Sequence, residues 1–266
     1  MMQITIHIIT LLICAIIFNS IMVKSNILKI PNVYFGTTFL IFSMPLIMIF
    51  PYVTVSILCL LFGGLYYELI TLKQVNNKYL NIFNAGIILG ISLILDYNLI
   101  LLYFFACLIL AYYKELEIRT ILILLLGSIS IIPLYYFSIE LSFFEKNQIT
   151  TLQYNLDQLK ELYLSFKFFL FLCLILFGVS LSELYKNYYK KSEYAKKAFS
   201  ILIIMGLLIV LNSIIFQKHR YIFCLIIPLS ILITNYLIYI KRPFFRTILL
   251  GLLLLAFFID SYYFII

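Results

Sequence analysis

Long apolar runs separated by short polar stretches make up most of the chain. About 20 helical residues cross the ~30 Å hydrocarbon core of a bilayer. Measured by that length, the runs predict an all-α, polytopic transmembrane helix bundle of about ten spans (nine to eleven), forming one integral-membrane domain over residues 1–266. The ten segments are 3–23, 33–50, 51–72, 79–95, 97–113, 119–138, 166–184, 199–216, 221–240 and 246–265.

Two boundaries within this pattern depend on a proline and on a short polar tip. The run Val33–Leu72 is too long for one helix, and Pro51 is its natural break. The fourth and fifth segments share the polar tip Asp96-Tyr97-Asn98, which predicts a helical hairpin.

The segment Ile139–Phe166 is the longest stretch with substantial polar content. Within it Leu152, Leu156, Leu159 and Tyr163 recur at the spacing of one helical stripe. This predicts a short amphipathic helix near residues 150–165 that lies in the outer head-group region. Two alternatives stay open, a solvated connector and a helix that shapes an external cavity.

Composition excludes several classes of protein. The chain is 65% hydrophobic and 11% charged, whereas a soluble globular protein is nearer half apolar and a quarter charged. A soluble enzyme, a disordered protein and a secreted disulfide scaffold are therefore excluded.

The cysteines stand in separate apolar runs without ligand spacing, so we predict small buried hydrophobic residues and no metal site. They are Cys14, Cys59, Cys107, Cys173 and Cys224.

The net charge of +8 is distributed between the apolar runs and forms no nucleic-acid-binding face. Fourteen of the 19 Lys and Arg residues lie in one set of alternating loops and five in the other. The positive-inside rule then predicts a multi-pass protein of the bacterial inner membrane, with the basic loops in the cytoplasm and both termini outside.

Two cationic clusters are candidate binding sites. The predicted external cluster Lys218, His219, Arg220 and Tyr221 suits a phosphate-bearing head group, and its alternative role is to anchor the span by snorkelling to lipid phosphates. The predicted cytoplasmic loop Leu184–Ser200 interleaves lysines with tyrosines, which favours contact with anionic lipid over RNA. The lysines expected to contact lipid are Lys190, Lys191, Lys196 and Lys197.

Few features inside the spans carry chemistry. Gly86 and Gly90 form a GxxxG motif that allows close helix packing. Ionisable side chains are nearly missing from the span centres, whereas an ion-coupled carrier normally needs a buried acid near the midplane. A transporter is therefore the least favoured function.

Several stretches resemble an uncharacterised family of bacterial multi-pass membrane proteins, a domain of unknown function. The resemblance rests on Phe83–Ser92 with Leu93–Tyr103, which resembles the family's central hairpin. It extends to Pro45–Lys73, Arg119–Pro133 and Tyr221–Arg246. These segments cover about two thirds of the chain.

The sequence is also distantly similar to GT-C-type glycosyltransferases, which use polyprenyl-phosphate sugars at the external membrane face. In those enzymes a Gly-rich span ends at an external turn, where Asp96 stands here. A later cationic cluster and a Pro-bearing span correspond to His219-Arg220-Tyr221 through Pro228. If the chain is such an enzyme, Asp96 would be its catalytic acid, and a polyprenyl-phosphate-linked sugar is the ligand that the likeness implies.

The sequence departs from that pattern in one respect that matters for activity. The enzymes carry an essential Asp or Glu in the first large external loop, whereas the only acid before Asp96 here is Glu68, predicted near the cytoplasmic side. We therefore expect a non-catalytic or degenerate GT-C-like subunit of the cell envelope, with no evident cofactor. Its expected partners are membrane lipids and a protein of an envelope assembly. The alternative is a glycosyltransferase-like enzyme acting on a lipid-linked phosphate substrate.

Overall fold

The computed structural model describes residues 2–24, 34–49, 53–73, 77–133, 135–136, 164–216 and 219–265. Within these ranges the protein is all-α, as predicted, with ten α-helices and no strand. The helices are α1 (Met2–Lys24), α2 (Tyr34–Ile49), α3 (Val53–Ile70), α4 (Lys78–Leu95), α5 (Leu101–Tyr112), α6 (Ile118–Ile129), α7 (Lys167–Asn187), α8 (Glu193–Ile215), α9 (Ile226–Tyr239) and α10 (Pro243–Ile265). Residues 150–163 of the predicted interfacial helix lie outside the described residues.

Five helices in the described ranges are long and apolar enough to cross a membrane: α1, α4, α7, α8 and α10. These helices support membrane association. Each of the ten predicted segments contains a helix, but ten crossings are not confirmed. Some helices are shorter than the hydrocarbon core is thick. At 1.5 Å per residue, a 12-residue helix such as α5 or α6 is only about 18 Å long.

Proline stands near one end of two of the shorter helices. α6 ends at Ile129, four residues before Pro133, whose ring nitrogen has no hydrogen to donate to the Ile129 carbonyl. The predicted segment 221–240 begins with a 3₁₀ turn over His219–Leu225, and α9 starts only at Ile226. Pro228 lies in the first turn of α9. Backbone N–H groups there have no acceptor within the helix, so the absence of an N–H in proline breaks no intrahelical hydrogen bond.

The chain forms two compact units. The first unit comprises Met1–Cys59, Tyr154–Phe199 and Phe223–Ile266, and the second comprises Leu60–Gln153 and Ser200–Ile222. In the first unit α9 packs against α2 and α7, and nearly all of its side chains are buried. A buried hydrogen bond of 2.9 Å between the hydroxyls of Thr38 and Thr234 joins α2 to α9.

In the second unit α4 packs tightly and in parallel against α6. A Cβ added to Gly86 or Gly90 would collide with the α6 backbone, and the one at Gly90 would lie 2.7 Å from the Ser128 carbonyl oxygen. Gly86 contacts the backbone of Leu124, and Gly90, four residues later, contacts the backbone of Ser128, also four residues later. The two helices therefore run in the same direction. The hydroxyl of Ser128 donates a 3.0 Å hydrogen bond to the Gly86 carbonyl. The GxxxG motif therefore lies at a helix–helix contact.

Asp260 of α10 stabilises the start of α7 in the first unit. Its Oδ2 accepts a 2.8 Å hydrogen bond from the backbone N–H of Phe169, the third residue of α7. The first turn of α7 contains no acidic residue, and no side chain of Phe166 caps it. A carboxylate from a neighbouring helix thus supplies the missing cap, at the end where the helix dipole favours negative charge.

Substitution of Gly86 by Ala tests the α4–α6 packing. The added methyl group must push against backbone, so we expect a loss of about 1–3 kcal/mol in the free energy of unfolding. Gly178→Ala is the matched control, since nothing lies within 4 Å of its Cβ position. Thermal unfolding in detergent measures both variants, and equal midpoints would contradict this packing.

Asp260→Ala tests the cap on α7. Removing the acceptor leaves a buried N–H unpaired, which should lower the free energy of unfolding by about 1–2 kcal/mol. Asp260→Asn keeps an acceptor oxygen but loses the charge, and its loss should be nearer 0.5 kcal/mol. The same thermal measurement applies, and the cap is refuted if the Ala variant unfolds like the wild type.

Candidate functional site

Asp96 lies directly after α4 and caps the 3₁₀ turn Tyr97–Ile100. Its Oδ1 accepts a 3.0 Å hydrogen bond from the backbone N–H of Asn98 and a 2.7 Å bond from the Asn98 side-chain amide. An Asp that binds the backbone two residues further on is a common way to end one element and start another. Asp96 is only 4% exposed.

Tyr221 contacts the same carboxylate. It lies in the 3₁₀ turn His219–Leu225, its side chain is fully buried, and its hydroxyl donates a hydrogen bond to Asp96 Oδ2. Asp96 and Tyr221 are 125 residues apart in sequence and both belong to the second unit. The two elements that the sequence assigned to the external face therefore meet at one side-chain contact.

The hydrogen-bond partners of Asp96 indicate which role its carboxylate can have. Oδ1 accepts two hydrogen bonds from Asn98 and Oδ2 accepts one from Tyr221. The protein itself therefore supplies donors to both oxygens of this buried carboxylate, and the side chain is only 4% exposed to a substrate. The arrangement is typical of a packing anchor, since a buried carboxylate that accepts hydrogen bonds at both oxygens fixes the elements that supply its donors.

The other members of the predicted phosphate cluster are only partly described. Lys218 lies outside the described residues, and His219 and Arg220 begin the 3₁₀ turn that carries Tyr221. Tyr221 itself is buried against Asp96.

The predicted basic loop Leu184–Ser200 is mostly helical. α7 continues to Asn187, the 3₁₀ turn Tyr188–Lys190 follows, and α8 begins at Glu193. Lys190 is exposed at the end of this turn, and Lys197 is partly buried in the first turns of α8. The ammonium of Lys196 lies 5.9 Å from the Tyr188 ring centre.

Lys191 contacts side chains of α8 and α9. Its Nζ donates a 2.7 Å hydrogen bond to Asn235 Oδ1 on α9. The same ammonium lies 4.6 Å from the ring centre of Phe199 and 4.9 Å from that of Tyr239. These contacts join the α7–α8 connection to α9 within the first unit, and a cation over aromatic rings is stabilised by their negative faces.

Further polar pairs were not apparent from the sequence. The Oγ of Ser56 lies 2.8 Å from Nδ1 of His7, and both side chains are fully buried in the first unit. In the second unit the Asn84 amide donates to Glu68 Oε1 at 3.4 Å. A polar residue inside an apolar run signals such a contact, but the partner stands in another run.

In the described residues no three His, Cys, Asp or Glu side chains lie together as a metal-binding group, and all five cysteines are free thiols. Comparisons with protein-family models, with curated proteins and with solved structures found no match. The two resemblances drawn from the sequence therefore stay predictions.

Tyr221→Phe tests the contact with Asp96. It removes one donor from a buried carboxylate, so we expect a loss of about 1–3 kcal/mol in the free energy of unfolding. The loss should be smaller in an Asp96→Asn background, because a neutral amide needs that donor less than a carboxylate does. Tyr185→Phe is the control, since that side chain is 77% exposed. A double-mutant cycle of thermal unfolding in detergent measures the coupling, and additive losses would refute the contact.

Proposed function

We propose that this chain is a non-catalytic integral subunit of the bacterial cell envelope, located in the inner membrane. In this role its helices contribute packing surfaces to an envelope assembly, and a neighbouring protein supplies the chemistry. The proposal includes about ten membrane crossings, a GT-C-like architecture, cytoplasmic basic loops and external termini. It also includes contact with membrane lipids and with a protein partner.

One observation carries the non-catalytic part of the proposal. Asp96 is the acid that the sequence offered as a catalyst, and both of its oxygens accept hydrogen bonds from Asn98 and Tyr221 in a buried setting. A general base has to be within hydrogen-bond reach of the substrate proton it takes, whereas Asp96 is only 4% exposed. Here the carboxylate supports a structural role instead.

The membrane part of the proposal is supported by the five long apolar helices. The parallel packing of α4 and α6 agrees with a chain that crosses back through α5 between them. The excess of Lys and Arg in alternate loops supports the proposed orientation.

Two substitutions at Asp96 separate a packing anchor from a catalyst. In a strain that lacks the chromosomal copy, Asp96→Asn should accumulate near the wild-type level and restore growth under envelope stress, because its amide oxygen still accepts from Asn98. Asp96→Ala should accumulate several-fold less, since the donors of Asn98 and Tyr221 lose their acceptor. Immunoblotting measures abundance, and growth is compared at matched abundance. A normally abundant Asp96→Asn protein that fails to restore growth would contradict the proposal.

A second function is favoured by the contact between Tyr221 and Asp96. It joins the end of α4 to the turn that begins with His219 and Arg220, which are the two elements a glycosyltransferase-like enzyme would use on a lipid-linked phosphate substrate. Purification in mild detergent discriminates the two functions. A polyprenyl-phosphate lipid detected by mass spectrometry would support the enzyme, and a stoichiometric protein partner would support the subunit.

A further inference from the structure

α7 exposes one continuous stripe along its length. Phe168, Phe171, Leu174 and Val179 are exposed at three- to five-residue spacing, whereas Phe169, Leu176, Ser180 and Leu184 on the opposite side are buried in the first unit. Gly178 belongs to the exposed stripe, and no atom lies within 4 Å of its Cβ position. Among the described residues, this face of α7 is therefore exposed along its length.

The chemistry of the stripe changes abruptly towards its C-terminal end. After Val179 and Ser182 come Tyr185 and Tyr189, which are 77% and 82% exposed, and beside them Lys186 and Lys190 are also exposed. Tyrosines have an apolar ring and a polar tip, and they concentrate where the hydrocarbon meets the head groups. Neighbouring exposed ammonium groups attract the phosphates of anionic lipids.

The distance between the charged ends of α7 matches a bilayer. Lys167 is exposed at the N-terminal end, with its Nζ 5.4 Å from the Phe168 ring centre. From Lys167 to Lys186 a helix rises about 28 Å, which is close to the ~30 Å hydrocarbon thickness. The apolar stripe then spans the hydrocarbon, and the Tyr and Lys pairs lie at head-group depth.

We propose that Tyr185, Lys186, Tyr189 and Lys190 form a binding surface for the phosphate of anionic phospholipids. This surface, the head-group surface of α7, rests on the membrane location proposed above. Of the lysine set that the sequence suggested it keeps only Lys190, and it adds Lys186, because both are exposed whereas Lys191, Lys196 and Lys197 are partly buried. The ammonium of Lys191 points to Asn235 and to the rings of Phe199 and Tyr239.

Lys191 provides a matched control for the experiment. Lys191→Gln removes one charge next to Lys190, as the single variant Lys190→Gln does, so a general effect of net charge would appear in both. The Lys191 variant should lower thermal stability through the lost bond to Asn235, yet leave lipid preference unchanged. The combined variant Lys186→Gln/Lys190→Gln should lower the preference for anionic lipid and leave thermal stability unchanged.

The test uses the full chain reconstituted from an equimolar mixture of phosphatidylglycerol and phosphatidylcholine, and then re-extracted in mild detergent. Mass spectrometry of the retained lipids should show enrichment of phosphatidylglycerol for the wild type. The enrichment should fall about fivefold for each lysine replaced, and it should weaken as salt rises. Lys191→Gln should keep the wild-type ratio.

Two results would overturn the inference. One is an unchanged ratio in Lys186→Gln/Lys190→Gln, and the other is an equal loss in Lys191→Gln. A chain that reconstitutes without any phosphatidylglycerol enrichment refutes the head-group surface and leaves the membrane proposal standing. A chain that does not enter vesicles at all refutes both.

Discussion

The exposed faces of the helices are too apolar for water, and this constraint governs the rest of the structure. Leu174 on α7 and Phe258 on α10 are each more than 60% exposed, and similar side chains cover α1 and α8. Hydrocarbon surroundings remove the cost of exposing them, but they also remove water as a hydrogen-bond partner. Backbone groups must then be satisfied inside helices, and buried polar side chains need partners from the protein itself.

Three charged side chains in the described residues make such packing contacts. Asp260 caps a neighbouring helix, Asp96 binds Asn98 and Tyr221, and Lys191 binds Asn235. Each contact joins segments that are close in space and mostly distant in sequence, so each fixes one element on another. This use of charge is the physical basis for proposing a subunit over an enzyme.

The sequence predicts helix positions well because each predicted segment contains one α-helix once the long run Val33–Leu72 is divided. It predicts their lengths poorly, since Pro133 and the 3₁₀ turn before Pro228 shorten helices that hydropathy alone extends. The GxxxG motif predicts which face of α4 packs against another helix. It does not predict that Gly127 and Ser128 of α6 are the residues in contact with that face. Asp260 and Lys191 show the same limit, because neither Phe169 nor Asn235 is near in sequence. Burial at Asp96 likewise depends on Tyr221, which no local pattern connects to it.

The central claim is that the exposed apolar faces contact hydrocarbon, and nitroxide accessibility in lipid vesicles tests it most directly. Labels are attached at Leu174 and Leu207, both more than 60% exposed, and at Tyr189, in a background whose five cysteines are replaced. At Leu174 and Leu207 oxygen should relax the label more strongly than a water-soluble nickel chelate does, and at Tyr189 the order should reverse. Dominant relaxation by the nickel chelate at Leu174 and Leu207 would contradict the claim.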